Sequence, residues 1–496
     1  MTLAALAVGA ALTVGLALTA PVSRDEHMYQ AAAALLPQQA LYDAFVFPQP
    51  PVSAWFYAAV QAAWPGPEVL LPARLAQAVV SLGLGLVLWG LLRRQGAPPL
   101  PAASLLLLLV HTEVLRESLG LARNDVLALA LSLSPWLLLP VHPGDDEQVW
   151  RLVTGGALAG LGLACRLTHA PLTLLAVAWP LLAPTTVTGG RREAGWIALG
   201  AVLVLGAVTA ALWGTDLAAL RFSLVDYHLL NARFHAASGL GEGLDLAGKL
   251  HDAGRLCRRT DLAAWSALVL VALVLVQGRG RAWSPTRWRL GLLVMVCGVV
   301  MVAVPRPVQN AYYATLLIGG ALLVAAAMAR LVGRPHRVLQ GVLAVAVLVG
   351  LGNLAASDVA VMREVLHPSH WPAVQIHAAG RRLDVAMGEA RGPVIATHPL
   401  YVLEAGRQLD PAFAAGEFVW RLGPVLRRVR VGRADLVTDA RLAAHAAAVP
   451  PAAVLMVVAA PWDRPLGEWA RARRGQMWSV AGGVVLWTPP PGVRFL

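Results

Sequence analysis

The sequence predicts a polytopic α-helical membrane protein of about eleven transmembrane helices, followed by a small C-terminal soluble α/β domain. Three observations predict it. First, the chain is 57% hydrophobic, only 14% of its residues are charged, and its mean hydropathy is +0.62. A soluble domain averages about 25% charged residues, so this composition is too poor in charge to keep a globular surface wet. Second, apolar runs recur from residue 1 to about residue 356, near the roughly 20 residues that cross about 30 Å of hydrocarbon. Third, residues 357–496 change character: proline, charge and short β-like runs replace the apolar segments.

The apolar segments lie at 2–20, 70–92, 100–112, 126–141, 152–165, 168–185, 195–213, 261–277, 290–304, 311–329 and 338–356. Segments 100–112 and 152–165 are short, and the pair flanking Arg166 suggests a broken or re-entrant element. The first twenty residues have no basic n-region and no convincing small-residue cleavage site, so an uncleaved first helix is expected. The three cysteines, Cys165, Cys257 and Cys297, show neither zinc spacing nor a disulfide framework.

The net charge of +12 would suit a nucleic-acid partner, but the basic residues cluster between apolar runs, where they orient a membrane protein. No nucleic-acid partner is expected. With a cytoplasmic N-terminus, the short inside loops hold Arg93, Arg94, Arg151, Arg191, Arg192, Arg279, Arg281, Arg287, Arg289, Arg330, Arg334 and Arg337. Connections 21–69, 113–125 and 214–260 and the last 140 residues then share the outer face of the plasma membrane. The division is thus 1–356, membrane-embedded with an extracytoplasmic first loop at 21–69, and 357–496, an extracytoplasmic α/β domain. In the latter, Gly392–Thr397, Ala453–Ala459 and Gly482–Thr488 read as strands and Ala373–Met387 as a helix.

The richest stretch begins where the first span ends: Ser23-Arg24-Asp25-Glu26-His27-Met28-Tyr29. Two adjacent carboxylates open a helix at the membrane surface, and Asp25 and Tyr29, four apart, share a face. It continues as Leu41-Tyr42-Asp43-Ala44-Phe45 and reaches Gln49-Pro50-Pro51 before the second span. Aromatic, proline-rich chain of this kind suits the interface.

An acidic pair after the first span, a Tyr-Asp-aromatic element and a Gln-Pro-Pro before the second resemble the C-type membrane glycosyltransferases. The likeness is to their bacterial protein-mannosyltransferase and aminoarabinose-transferase-like branch. It covers 1–356 in architecture, with the specific motif confined to about residues 24–51, and the C-terminal domain also looks like the extracytoplasmic domains of this branch. The resemblance implies a glycosyltransferase that takes a hexosyl or pentosyl group from a polyprenyl-phosphate donor on the extracytoplasmic face. It implies Asp25 as the base that deprotonates the acceptor, with Glu26 a supporting acid or metal ligand. Asp125, in Arg123-Asn124-Asp125, matches an acidic residue that the family places facing the first loop. It would hold acceptor, donor or, with Glu26, a divalent metal cation if one is used.

The donor phosphate needs a cation near the outer interface. Arg166, beside His169, and Arg306, in Pro305-Arg306-Pro307-Val308-Gln309-Asn310-Ala311-Tyr312-Tyr313, are the candidates; arginine binds phosphate bidentately and a tyrosine hydroxyl adds a donor. The second element resembles the family's late loop, which brings in Tyr312 and Tyr313. Tyr29, Tyr42, Asp43 and Gln49 are the substrate-binding candidates. Ordinary interfacial charges, a helix cap at Asn124–Asp125 and snorkelling arginines would explain the same residues without chemistry. Charges in the 214–260 connection either shape an acceptor groove or are simply solvated.

No Gly-Lys-Ser/Thr phosphate loop and no His-Glu-x-x-His zinc pattern occurs. A transporter or flippase for a lipid-linked substrate is the alternative, and would put ionisable residues inside several spans. Here the charges gather at span ends, with Arg166 the main exception. A non-catalytic family member is the third reading. The sugar and the acceptor (glycan, lipid or protein) are not encoded in any motif.

Overall fold

The computed structural model describes residues 2–139, 148–182, 190–239, 245–257, 260–277, 285–330, 357–427 and 436–489, with Gly341, Val345, Gly352 and Arg433 as single positions. Every apolar segment expected before residue 330 falls on a helix, and segment 338–356 lies almost wholly outside the described residues. Among the described residues, four helices are long and apolar enough to cross a bilayer: α1 (Thr2–Thr19), Leu70–Arg94, Gly190–Ala211 and Asn310–Ala329. Pro99–Val110 and Glu113–Leu119 form a fifth candidate span, bent by 76° at its break. Asn124–Leu138, Val149–Cys165, Leu167–Leu182 and Trp265–Val274 are shorter apolar helices. The break expected at Arg166 is present: that residue is extended between the helix Val149–Cys165 and a 3₁₀ turn at Leu167–His169.

Small residues set the closest helix contact. A Cβ on Gly156 would stand 1.9 Å from the Ile197 carbonyl oxygen, and one on Gly200 2.0 Å from that of Val153. Helices Val149–Cys165 and Gly190–Ala211 therefore touch backbone to backbone, as small-residue seams permit in lipid. Outward positions such as Val79, Leu86, Leu174 and Val202 are exposed, which lipid tolerates and water does not.

The first loop is a packed structure. After α1 the chain turns at Pro21, and Ser23 caps α2 (Arg24–Leu35): its hydroxyl accepts from the Asp25 amide at 3.1 Å, while the Glu26 carboxylate accepts from the Ser23 amide at 2.9 Å. That is a capping box. An irregular segment follows, with Tyr42 at φ 72°, then α3 (Val52–Ala63) and α4, the long helix Leu70–Arg94.

Residues from Pro372 onward hold a four-stranded sheet of order β1-β2-β4-β3. Its strands are β1 (Val394–Ala396), β2 (Ala453–Val457), β3 (Gln476–Ala481) and β4 (Val484–Thr488). β1 and β2 are parallel, with Ile395 opposite Val454; the other pairs are antiparallel. β3 was not among the strands expected from sequence, because it is an edge strand with four exposed residues in succession and no buried alternation. The sheet shares one apolar core with the first loop, in which Tyr29, Phe47 and Tyr57 cluster with Val394, Leu455 and Leu486. Residue 357 is thus a change of composition and not a break in packing.

Candidate active site

A cavity of about 1300 Å³ opens where the first loop, the Arg166 break, the loop before Asn310 and the C-terminal segment converge. Asp25, Tyr29, Gln49, Asp125, Arg166, Arg306 and Tyr312 all line it. The capped start of α2 and the break at Arg166 help bring them together.

At its centre, acids and arginines alternate. Asp25, whose side chain is 21% exposed, accepts a hydrogen bond from Arg123 Nη1 at 2.8 Å. Arg123 Nε lies 2.9 Å from the Asp125 carboxylate, whose other oxygen pairs with Arg166. Arg166 in turn lies over the Tyr312 ring at 4.8 Å, a cation–π contact. Asn124 donates to the Gln49 side chain and to the Cys165 carbonyl, both at 3.0 Å, and so ties the first loop to the Arg166 break. Burial pushes the Tyr29 phenol well above its ordinary pKa, against the opposing pull of Arg166, so Tyr29 serves as a neutral hydroxyl.

Glu26 has a different task from its neighbour. It is fully buried and accepts from Arg74 Nε at 2.5 Å and Nη2 at 2.7 Å, from the Ala122 amide at 2.8 Å and from the Ser23 amide. Four donors saturate its lone pairs. The carboxylate therefore anchors α2 to α4 and to the loop before Asn124, and it is not among the cavity's lining groups. This corrects the expectation that Glu26 and Asp125 would share a divalent cation: guanidinium groups occupy both carboxylates. Among the described residues no group of three His, Cys, Asp or Glu is placed to hold a metal.

Arg306 differs from Arg123 and Arg166. It is exposed at the cavity wall, and no described carboxylate neutralises it. Its loop is fixed by Lys249, the chain's one lysine, which donates to the carbonyls of Val302 at 3.3 Å and Pro305 at 2.9 Å. Burial lowers the Lys249 pKa, and Arg306 lowers it further. Of the adjacent tyrosines, Tyr312 faces the cavity, whereas Tyr313 is packed in the helical core.

Tyr42 and Asp43 stand outside the cavity. Tyr42 is fully buried and its hydroxyl donates to the Gln49 carbonyl at 2.8 Å; Asp43 is exposed and accepts from the Asp216 amide at 2.9 Å. Both shape the loop that presents Gln49. His169 turns into the helices, where Nδ1 meets Ser132 Oγ at 3.0 Å. From the 214–260 connection, Tyr227, His228 and His235 reach the cavity, while Arg221 pairs with Asp226 at 3.4 Å near the surface.

Residues 48–213 match the family model for dolichyl-phosphate-mannose-protein mannosyltransferases. The crystal structure of ArnT from Cupriavidus metallidurans bound to undecaprenyl phosphate is similar over 99% of this chain and 97% of that one, with TM-score 0.62 and 14% identity. The fold is that of the C-type membrane glycosyltransferases. The family match likens residues 48–213 to the protein-mannosyltransferase branch, and four described helices are long and apolar enough to cross a membrane. The apo form of the same ArnT matches at TM-score 0.59, again with 14% identity, over 96% of this chain and 95% of that one. The apo oligosaccharyltransferase of Archaeoglobus fulgidus matches at 0.52 and 12%, over 92% of this chain and 70% of that one. No curated protein matches by sequence.

Two contributors to the cavity escape a reading of the sequence. Arg123 is the cation between Asp25 and Asp125, and Arg421 enters from the C-terminal segment with its guanidinium 4.9 Å from the Phe418 ring. The triplet Arg123-Asn124-Asp125 was a usable signal for the first. Nothing local marks the second.

Proposed function

We propose that the chain is a glycosyltransferase which moves a sugar from a polyprenyl-phosphate donor to an acceptor hydroxyl on the extracytoplasmic face. The observation that carries the proposal is the cavity itself, in which Asp25, a partly exposed carboxylate oriented by Arg123, shares one space with the unneutralised Arg306. The ArnT relative is described with undecaprenyl phosphate bound, which supports a donor of that lipid class here. The chain would cross the plasma membrane about eleven times, with its N-terminus inside and residues 357–496 outside as an α/β domain. The gathering of ionisable groups around one cavity favours a surface reaction over a path through the membrane.

In this mechanism Arg306 and the Tyr312 hydroxyl hold the donor phosphate, and Gln49 and Tyr29 orient the sugar. Asp25 takes the acceptor's hydroxyl proton as its oxygen attacks the anomeric carbon. The new carbon–oxygen bond forms as the bond from that carbon to the phosphate oxygen breaks. Polyprenyl phosphate leaves with the electron pair, and the charge that develops on it meets Arg306. Asp125 is kept from the reacting centre by its two arginines; its part is to fix Arg123 and Arg166.

The test is transfer by purified protein from an undecaprenyl-phosphate hexose, with water or a supplied alcohol as acceptor. Asp25→Asn is expected to fold and to lose at least about 100-fold in rate, the ordinary contribution of a general base. Transfer at the wild-type rate by this variant would remove Asp25 from the mechanism.

A further inference from the structure

The C-terminal segment has no role in the mechanism as stated, yet it walls the same cavity. Phe418, Arg421 and Trp462 line it beside Arg24 and Asp25. At the cavity edge one carboxylate of this segment reaches the start of α2. Glu417, 3% exposed, accepts from Arg24 Nη1 at 3.0 Å and lies 3.5 Å from Arg421 Nη1. Arg421 extends the link through Nη2, which donates to the Asn231 side chain at 2.8 Å. The Glu417 amide is itself fixed, donating to the Thr397 carbonyl at the end of β1 at 3.1 Å.

Arg24 is the first residue of α2, and Asp25 is the second. The start of this helix is therefore held from three sides. Glu26 ties it to Arg74 of α4, Arg123 holds Asp25, and Glu417 holds Arg24 from the C-terminal segment. Removing one tie leaves a single capped turn free to rotate by a fraction of an ångström, and general-base catalysis is sensitive to displacements of that size. An ion pair with one buried partner is worth more than a surface pair, because solvent screens it less.

We infer that Glu417 is a positioning residue for the reaction: through Arg24 it sets the Asp25 carboxylate, so the C-terminal segment completes the active site. This rests on the reading of Asp25 as the base, and the test separates the two. The whole protein is used in nanodiscs, with undecaprenyl phosphate as binding probe and an undecaprenyl-phosphate hexose as donor. Glu417→Ala and Arg24→Ala are each expected to lower kcat about ten-fold, with the Kd for undecaprenyl phosphate within two-fold of wild type. The double variant is expected to lose about ten-fold as well, because the two residues act as one unit. Losses that multiply to about 100-fold, or a loss seen only in Kd, would overturn the inference. Glu417→Asp is expected to restore part of kcat, as a purely structural role would not require.

Amide exchange supplies a readout that does not depend on turnover. In Glu417→Ala, exchange at residues 24–29 is expected to rise several-fold while residues 72–80 of α4 stay at the wild-type rate. Unchanged exchange at 24–29 would also overturn it. This exchange response in Glu417→Ala, together with no transfer by the wild-type protein, would refute the transferase reading and leave the coupling intact.

Discussion

Asp25 and Glu26 are neighbours with opposite fates, and the difference comes from their position in one helical turn. Glu26 is the third residue of α2, where a capping box turns its carboxylate back onto Ser23 and towards Arg74. Asp25 lies on the adjacent face and points across the cavity to Arg123. Breaking the buried pair is expected to be severe: Arg74→Ala leaves the Glu26 carboxylate unpaired, at a cost of about 3–5 kcal/mol. A fall in Tm well beyond that of a surface arginine variant, such as Arg464→Ala, checks it. Asp25 and Asp125 could be singled out because their motifs resemble the family's, and Arg166 and Arg306 because each is a cation at the end of an apolar run. Arg123 could be noticed but not interpreted, since its role depends on a partner 98 residues away. The tasks of Tyr42 and Asp43 were illegible for the same reason: aromatic and acidic residues in an interfacial loop serve packing and binding alike.

Helices and loops carry the next layer of the account. The seam between Val149–Cys165 and Gly190–Ala211 leaves no room for a side chain at Gly156. Gly156→Leu is expected to drive these helices apart, and because Arg166 ends the first of them, to cost activity as well as Tm. Retention of both in that variant would contradict the packing. The loop that carries Arg306 hangs on Lys249, so Lys249→Met is expected to weaken undecaprenyl phosphate binding about five-fold, the equivalent of one hydrogen bond of about 1 kcal/mol. Titration of the lipid against the variant measures this directly. Apolar runs marked where the described helices before residue 330 lie, since hydrocarbon length and composition constrain them tightly. β3 was missed, because an exposed edge strand carries no burial pattern.

Over the whole chain, side chains from beyond residue 357 pack against the segments near the N-terminus. Glu404 accepts from the Val69 and Leu70 amides at 3.0 and 2.7 Å and thereby caps α4 from more than 300 residues away. His27 of α2 meets His398 after β1 with ring centres 5.0 Å apart. Burial lowers the pKa of His27, with His398 lowering it further; burial, then Arg24, brings His398 down to about 4. Both are neutral in the folded protein near pH 7, while in the unfolded chain a histidine takes a proton near pH 6.5. The folded state binds fewer protons, so this contribution to stability is complete above about pH 6.5 and is lost as pH falls towards about 4. Tm is expected to drop between pH 7.5 and 5, and less so in His398→Gln; equal drops would show that these histidines are not responsible. Contacts of this kind cannot be read from local sequence, because each joins residues hundreds of positions apart.

The central claim is that a lipid phosphate binds at Arg306 with its sugar presented to Asp25. A structure of the Asp25→Asn protein with an undecaprenyl-phosphate hexose tests it. The phosphate should lie within hydrogen-bonding distance of the Arg306 guanidinium, and the anomeric carbon should face residue 25 across the cavity. Phosphate density outside this cavity, or a sugar turned away from residue 25, would contradict the account.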